Sequence, residues 1–178
     1  RSFYQPKMDR SISNVGMKFQ GSVNMHKLQQ FINKLIGHDE SAQDYLRIKG
    51  VFSIAGSDHV FVLQCVGMVN DADFTHPWGD WPRECRIIFI GRGMQQRRQM
   101  LTDGIQACLV KPLRFSVGDR VLVSQERNWG KAYVPGNIIK IWDGLNAYRI
   151  ELDNGGEVYA PIDEDEYIKA ATKRSRTS

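Results

Sequence analysis

Apolar and polar positions alternate early in the chain. Val15, Met17 and Phe19 are separated by Gly16, Lys18 and Gln20, the period-two pattern of a half-buried strand. The period then lengthens: Leu28, Phe31, Ile32 and Leu35 fall at i, i+3, i+4 and i+7 and line one face of a helix that Asn24 would cap and Gly37 would end. Residues 45–54 read as a second strand, interrupted at Gly50. After the turn Ala55-Gly56-Ser57-Asp58 comes an apolar run over 60–69. Two strands joined this tightly must be antiparallel. Residues 70–82, rich in Asp, Pro and Trp, read as a polar loop. Residues 86–90 are apolar on both faces and so form a central strand. A helix over about 95–110 places Leu101, Ile105 and Cys108 on one face. The predicted order is β-α-β-β-β-α: an α+β domain with an antiparallel sheet and two helices on one face.

At Lys111-Pro112-Leu113-Arg114 the helical period disappears. Short apolar runs follow over 120–124, 136–142, 147–152 and 157–160, with Asp153-Asn154-Gly155-Gly156 as a hairpin turn and a last strand at Tyr167-Ile168. Five short strands in under about 60 residues bury a core by curling closed, which predicts a small SH3-like barrel. The expected domains are 13–110 and 115–170, with residues 1–12 and 171–178 as flexible ends.

Composition narrows the class. The chain has 178 residues, 42% hydrophobic and 25% charged, which excludes disorder, collagen and coiled coil as its main state. No apolar run approaches the roughly 18–20 residues that cross a bilayer, and the start is polar, so no membrane association is expected. Three scattered cysteines, Cys65, Cys85 and Cys108, point to a reducing compartment and a cytoplasmic location. The first residue is Arg1 rather than Met, so the N-terminus reads as a cut, a processing site or an artificial boundary.

Residues 1–112 carry 14 Lys+Arg against 10 Asp+Glu, and residues 113–178 carry 10 of each. That imbalance is too mild to argue for nucleic-acid binding. The basic tail Lys173, Arg174, Arg176 reads as a solvated end.

Searches for catalytic chemistry come back empty. No G-x-x-x-x-G-K-[ST] occurs, and the glycines near Gly91 and Gly93 lack the rest of a phosphate-binding fingerprint. Cys65 and Cys85 have no spacing that ties them to His59 or His76 as a nucleophile and base, so core thiols and surface histidines are the preferred reading. His26, His38, His59 and His76 stand more than ten positions apart and form no chelating pair. A transient surface contact of a metal with His76 or Cys85 is the most that spacing allows.

Binding signals are more concrete. Arg47 and Lys49 lie two apart on a strand and so share a face. Spacing alone favours a solvated sheet face over docking of an acidic partner or neighbouring domain. Trp78 and Trp81 sit in a Pro-Gly loop, either packed back or meeting a partner. In the second half, Trp129, Tyr133, Trp142, Tyr148 and Tyr159 could furnish a cage for methylated or basic peptides through cation–π contacts. Core and rim packing of a small barrel is the favoured alternative.

The segments Tyr45-Leu-Arg-Ile-Lys-Gly-Val-Phe-Ser-Ile-Ala-Gly56, Phe61-Val-Leu-Gln-Cys-Val-Gly67, Trp78 and Arg83-Glu-Cys-Arg-Ile-Ile-Phe-Ile-Gly-Arg92 resemble the C-terminal domain of CobW-type proteins, over roughly residues 13–110. That family consists of P-loop GTPases acting as zinc or cobalt metallochaperones. Its nucleotide site and C-x-C-C metal motif lie in an N-terminal GTPase domain, and neither motif occurs in this sequence. The resemblance therefore implies that this chain is no enzyme and binds no cofactor itself, with zinc and GTP/Mg held only by an upstream domain. It implies an interaction role for Arg47, Lys49, Gly50, Trp78 and Arg92, with the chain's own or a separate GTPase domain and a metalloprotein client as partners. Phe115-Ser-Val-Gly-Asp-Arg-Val and the run Tyr148-Arg-Ile-Glu-Leu-Asp-Asn-Gly are similar to SH3-like or Tudor-like barrels.

The leading expectation is the non-catalytic C-terminal portion of a CobW-like GTPase. The competing one is a stand-alone adaptor whose barrel reads methylated or basic peptides. A small hydrolase using Cys65 or Cys85 ranks last.

Overall fold

Where the sequence alternates, the backbone is extended, and where the period is 3.6, it coils. The structure is a computed structural model that describes residues 11–37, 40–67, 69–125 and 130–171. Two compact units emerge. The first comprises the described parts of Arg1–Val23, Leu28–Ser53 and Asp58–Leu109; the second comprises Asn24–Lys27, Ile54–Ser57 and the described part of Val110–Ser178.

The first unit is α+β. Strands β1 (Ile12–Gln20), β2 (Tyr45–Ser53), β3 (His59–Val66), β4 (Val69–Pro77) and β5 (Glu84–Arg92) form an antiparallel sheet in the order β1-β5-β2-β3-β4. Helix α1 (Met25–Ile36) follows β1, a 3₁₀ turn (Glu40–Asp44) precedes β2, and α2 (Arg98–Ala107) follows β5. Asn24 caps α1 as expected, its Oδ1 accepting from Lys27 N at 3.1 Å. Leu28, Ile32 and Leu35 of α1 and Leu101 and Ile105 of α2 are buried, as are Ile48, Phe52, Leu63, Cys65, Cys85, Ile87 and Phe89 from one face of the sheet. The opposite face is largely exposed, so the helices pack on the inward face alone.

Three local expectations need correction. Residues 70–82 are not one polar loop: Val69–Pro77 is strand β4, paired to β3 from Val66↔Val69 to His59↔Pro77. Every position of β4 except Phe74 is exposed, so an edge strand held by backbone pairing carries no alternation to read. Gly50 does not interrupt β2. It sits mid-strand because a Cβ there would lie 2.4 Å from the Phe52 ring, and the register shift falls between Tyr45 and Arg47. Helix α2 starts at Arg98, since residues 93–97 form turns anchored by Met94 N on Ser13 Oγ at 3.2 Å and Gln95 Nε2 on Asn14 O at 2.6 Å.

The second unit is a five-stranded antiparallel sheet: β6 (Arg120–Ser124), β7 (Tyr133–Asp143), β8 (Asn146–Leu152), β9 (Glu157–Ala160) and β10 (Ile168–Ala170), ordered β10-β6-β7-β8-β9. Its core gathers Val121, Val123, Ile138, Tyr148, Ile150, Ala160, Ile162 and Ile168. The predicted closed barrel is not found, because no pairing joins β9 to β10 among the described residues. Side chains secure the segment between them instead. Arg114 donates to Asp163 at 2.9 Å, to Asp165 at 2.6 Å and to the Ile168 carbonyl at 2.9 Å.

Candidate functional site

Because side chains alternate across a strand, the register of the first sheet fixes which residues share its outer face. Across β1, β5 and β2, Lys18 stands opposite Arg86 and then Val51; Gly16 stands opposite Ile88 and then Lys49; Asn14 stands opposite Ile90 and then Arg47. Arg92 lies opposite Ile12 at the end of the same face. Strand β3 extends the rows with Val62, Gln64 and Val66, and β4 adds Asp73, Asp71 and Val69.

The outcome is an outward face whose aliphatic middle, Val51, Val62, Ile88 and Ile90, is interspersed with Lys18, Arg47, Lys49, Arg86 and Arg92. Its β4 margin is acidic. At its centre is a groove of about 590 Å³ lined by Gly16, Lys18, Lys49, Val51, Val62 and Ile88, among others. Gly16 forms a gap in that wall, since a Cβ there would meet nothing within 4 Å.

One acid tempers the cations. Glu84 receives Lys18 Nζ at 2.7 Å and Arg86 Nε at 2.6 Å. These hydrogen bonds, to Lys18 first and then Arg86, hold its carboxyl below the usual range. Glu84 keeps 13% of its side-chain exposure while Lys18 and Arg86 keep 63% and 69%, so both cationic groups still face water. Arg47 and Lys49 make no ion pair among the described residues and are exposed.

Of the residues singled out from sequence, Arg47, Lys49 and Arg92 come together on this face. Gly50 and Trp78 do not. Gly50 lies inward under Phe52, and Trp78 is 6% exposed with its Nε1 lacking a hydrogen-bond partner among the described residues. It is Trp81 that is exposed, edge-on to His76 with ring centroids 5.6 Å apart. Lys18, Arg86 and the Gly16 gap escaped the sequence reading, although the apolar outer positions Ile88 and Ile90 already marked β5 as two-faced.

In the second unit the four described aromatics, Tyr133, Trp142, Tyr148 and Tyr159, are not assembled into a cage. Tyr148 is fully buried; its hydroxyl accepts from Phe115 N at 3.2 Å, and burial pushes it above the usual tyrosine range. Tyr159 is exposed with Arg149 over its ring at 5.9 Å, and Tyr133 carries Lys169 at 3.5 Å from its centroid. Trp142 is half-buried against the core with φ of 50°, a left-handed conformation uncommon for a bulky residue. Trp129 lies outside the described residues.

The described residues contain no group of three or more His, Cys, Asp or Glu placed to hold a metal ion. No helix among them is long and apolar enough to cross a membrane.

In the first unit two helices cover the inward face of the sheet, and the outward face carries cations and aliphatics. Residues 12–109 match the family described as the cobalamin synthesis protein cobW C-terminal domain, and the chain belongs to that family. Two solved structures share the fold: Zn(II)-bound YjiA GTPase from E. coli and a Zn(II)-bound triple mutant of YjiA GTPase. Each has a TM-score of 0.51 at 24% identity, over 56% of this chain and 30% of the YjiA chain. The chain thus spans less than a third of the proteins whose structures it matches. A search of curated proteins returned no match.

Proposed function

We propose that this chain is the non-catalytic C-terminal portion of a CobW-like zinc or cobalt metallochaperone GTPase, acting in the cytoplasm. The family match over residues 12–109 is the observation that carries this reading. GTP hydrolysis and the principal metal site would belong to an upstream P-loop domain, and the sheet face bearing Arg47, Lys49 and Arg92 would contact that domain or a client. Nucleotide state upstream then alters metal delivery by shifting this interface, a coupling between two sites through one contact.

The second unit adds a recognition element of SH3-like type. Its strand order, with the last strand beside the first, supports that reading. The competing role as a reader of methylated or basic peptides is the weaker one, because Tyr148 belongs to the core and the rings of Tyr159 and Tyr133 already carry their own cations.

The test is the intact size of the endogenous protein, by immunoblot and mass spectrometry. The expected result is a much longer species yielding G-x-x-x-x-G-K-[ST] and C-x-C-C peptides. A native product of about this length would instead leave an adaptor with no nucleotide chemistry of its own.

A further inference from the structure

The outer face of the first sheet has a definite chemistry. Five cations, Lys18, Arg47, Lys49, Arg86 and Arg92, project from β1, β2 and β5, and among the described residues the only acids sharing the face are Glu84 at one end and Asp71 and Asp73 on the β4 margin. Between them lie Val51, Val62, Val66, Ile88 and Ile90, with Val62 37% and Val66 51% exposed. Aliphatic side chains left in water beside Arg47 and Lys49, which make no ion pair among the described residues, favour a ligand that is itself both apolar and acidic.

Size narrows the ligand further. From β1 to β3 the face is about 14 Å wide at the usual strand spacing of roughly 4.8 Å, which admits one helix of about 10–12 Å diameter. The outward positions of β5 from Arg86 to Arg92 span about 20 Å, or between three and four helical turns. A nucleic acid would satisfy the cations, but sheet faces that read single strands stack bases on aromatic rings. The outward positions between these cations are aliphatic.

We propose that this face docks an acidic amphipathic helix of a partner protein. The helix's apolar stripe would sit on Val51, Val62 and Ile88 and its Asp/Glu flank would lie over β1, β5 and β2. Asp71 and Asp73 repel that flank from β4 and so set the orientation. The Gly16 gap receives a side chain from the helix. This deepens the reading of the domain as a partner-contacting one and names the chemistry of the contact.

The probe is a fluorescein-labelled helical peptide of about 18 residues, with Leu at i, i+3, i+4 and i+7 and Glu beside the stripe. Its controls are the same peptide with Lys for Glu, and a single-stranded oligouridylate. The full chain is titrated by anisotropy and by amide NMR shifts. The Glu peptide is expected to bind, to shift amides of residues 16–18, 47–51, 62–66 and 86–92, and to weaken severalfold between about 50 and 300 mM salt. The R47E/K49E double variant should weaken it about tenfold or more. Gly16→Leu, which fills the gap without changing a charge, should also weaken it severalfold. Circular dichroism verifies that each variant folds.

Four results would overturn the proposal: no binding of the Glu peptide, equal binding of the Lys peptide, tighter binding of the oligouridylate at the same amides, or self-association of the chain that R47E/K49E abolishes. None of these bears on whether a GTPase domain precedes this chain, which the size of the endogenous protein decides separately.

Discussion

Gly91 and Asp44 approach so closely that a Cβ on Gly91 would lie 1.9 Å from the Asp44 carbonyl oxygen. The 3₁₀ turn before β2 and the end of β5 therefore meet backbone to backbone, and Tyr45 pairs with Gly91 at that point. A backbone atom cannot rotate away as a side chain can, so Gly91→Ala must displace the turn. We expect a loss of about 3 kcal/mol, at the upper end for overpacking, measured by urea denaturation. Gly16→Ala in the same sheet is the control: with nothing near its Cβ, it should leave stability unchanged or raise it by up to about 1 kcal/mol.

Much of the first unit could be read from sequence because its signals are local. Leu28, Ile32 and Leu35 announce α1, and the run Ile87-Ile88-Phe89-Ile90 announces an interior strand with apolar positions on both faces. Strand β4 was illegible because a strand exposed on both faces has no hydrophobic alternation. The outer face was half legible. Arg47 and Lys49 are two apart in sequence, whereas Lys18 and Arg86 meet at Glu84 only through the pairing of β1 with β5. Nothing in the sequence assigns Tyr148 inward and Tyr159 outward. That depends on the β8–β9 register, where Tyr148 faces Ala160 and Arg149 faces Tyr159.

Arg114 joins three partners from the segment that leads into β10, namely Asp163, Asp165 and the Ile168 carbonyl. Only a planar fork reaches all three at once. Arg114→Ala should destabilise the second unit by about 1–2 kcal/mol, discounted because the side chain is 42% exposed. Arg114→Lys should recover less than half of that. Hydrogen exchange at Tyr167 and Ile168 would rise in both variants, and unchanged protection there would show that the apolar core alone holds this segment.

Three carboxylates make stability depend on pH in a defined direction. Hydrogen bonding by Lys18 and Arg86 lowers the pKa of Glu84, Lys140 and then Arg149 lower Asp143, and Arg120 lowers Asp153. Each binds its proton more weakly folded than unfolded, so its contribution is present above the ordinary carboxylate range of about 4 and lost as pH falls through the lowered value. Urea midpoints should hold steady from pH 7 to about 5 and decline below. Glu84→Gln should flatten the first unit's share of that decline, and an unaltered profile in E84Q would remove Glu84 from the account.

Cys85 behaves in the opposite sense. Its thiol is fully buried, accepts from Ser53 N at 3.2 Å and donates to the Gly21 carbonyl at 3.4 Å. Burial, the largest influence, pushes its pKa up to about 11. Since the thiolate is the nucleophile, native Cys85 should resist iodoacetamide at pH 8 and react at the rate of a free thiol only in denaturant. Peptide mass mapping reads both states. The proton is held more tightly folded than unfolded, so this contribution is complete below the unfolded value of about 8.5 and is lost as pH rises towards 11. Cys85→Ala leaves the Ser53 amide without its acceptor at a cost of about 1–2 kcal/mol, and it should remove that alkaline component from the stability curve. Rapid native alkylation at pH 8 would mean that β5 opens beside β2 far more often than its buried core suggests.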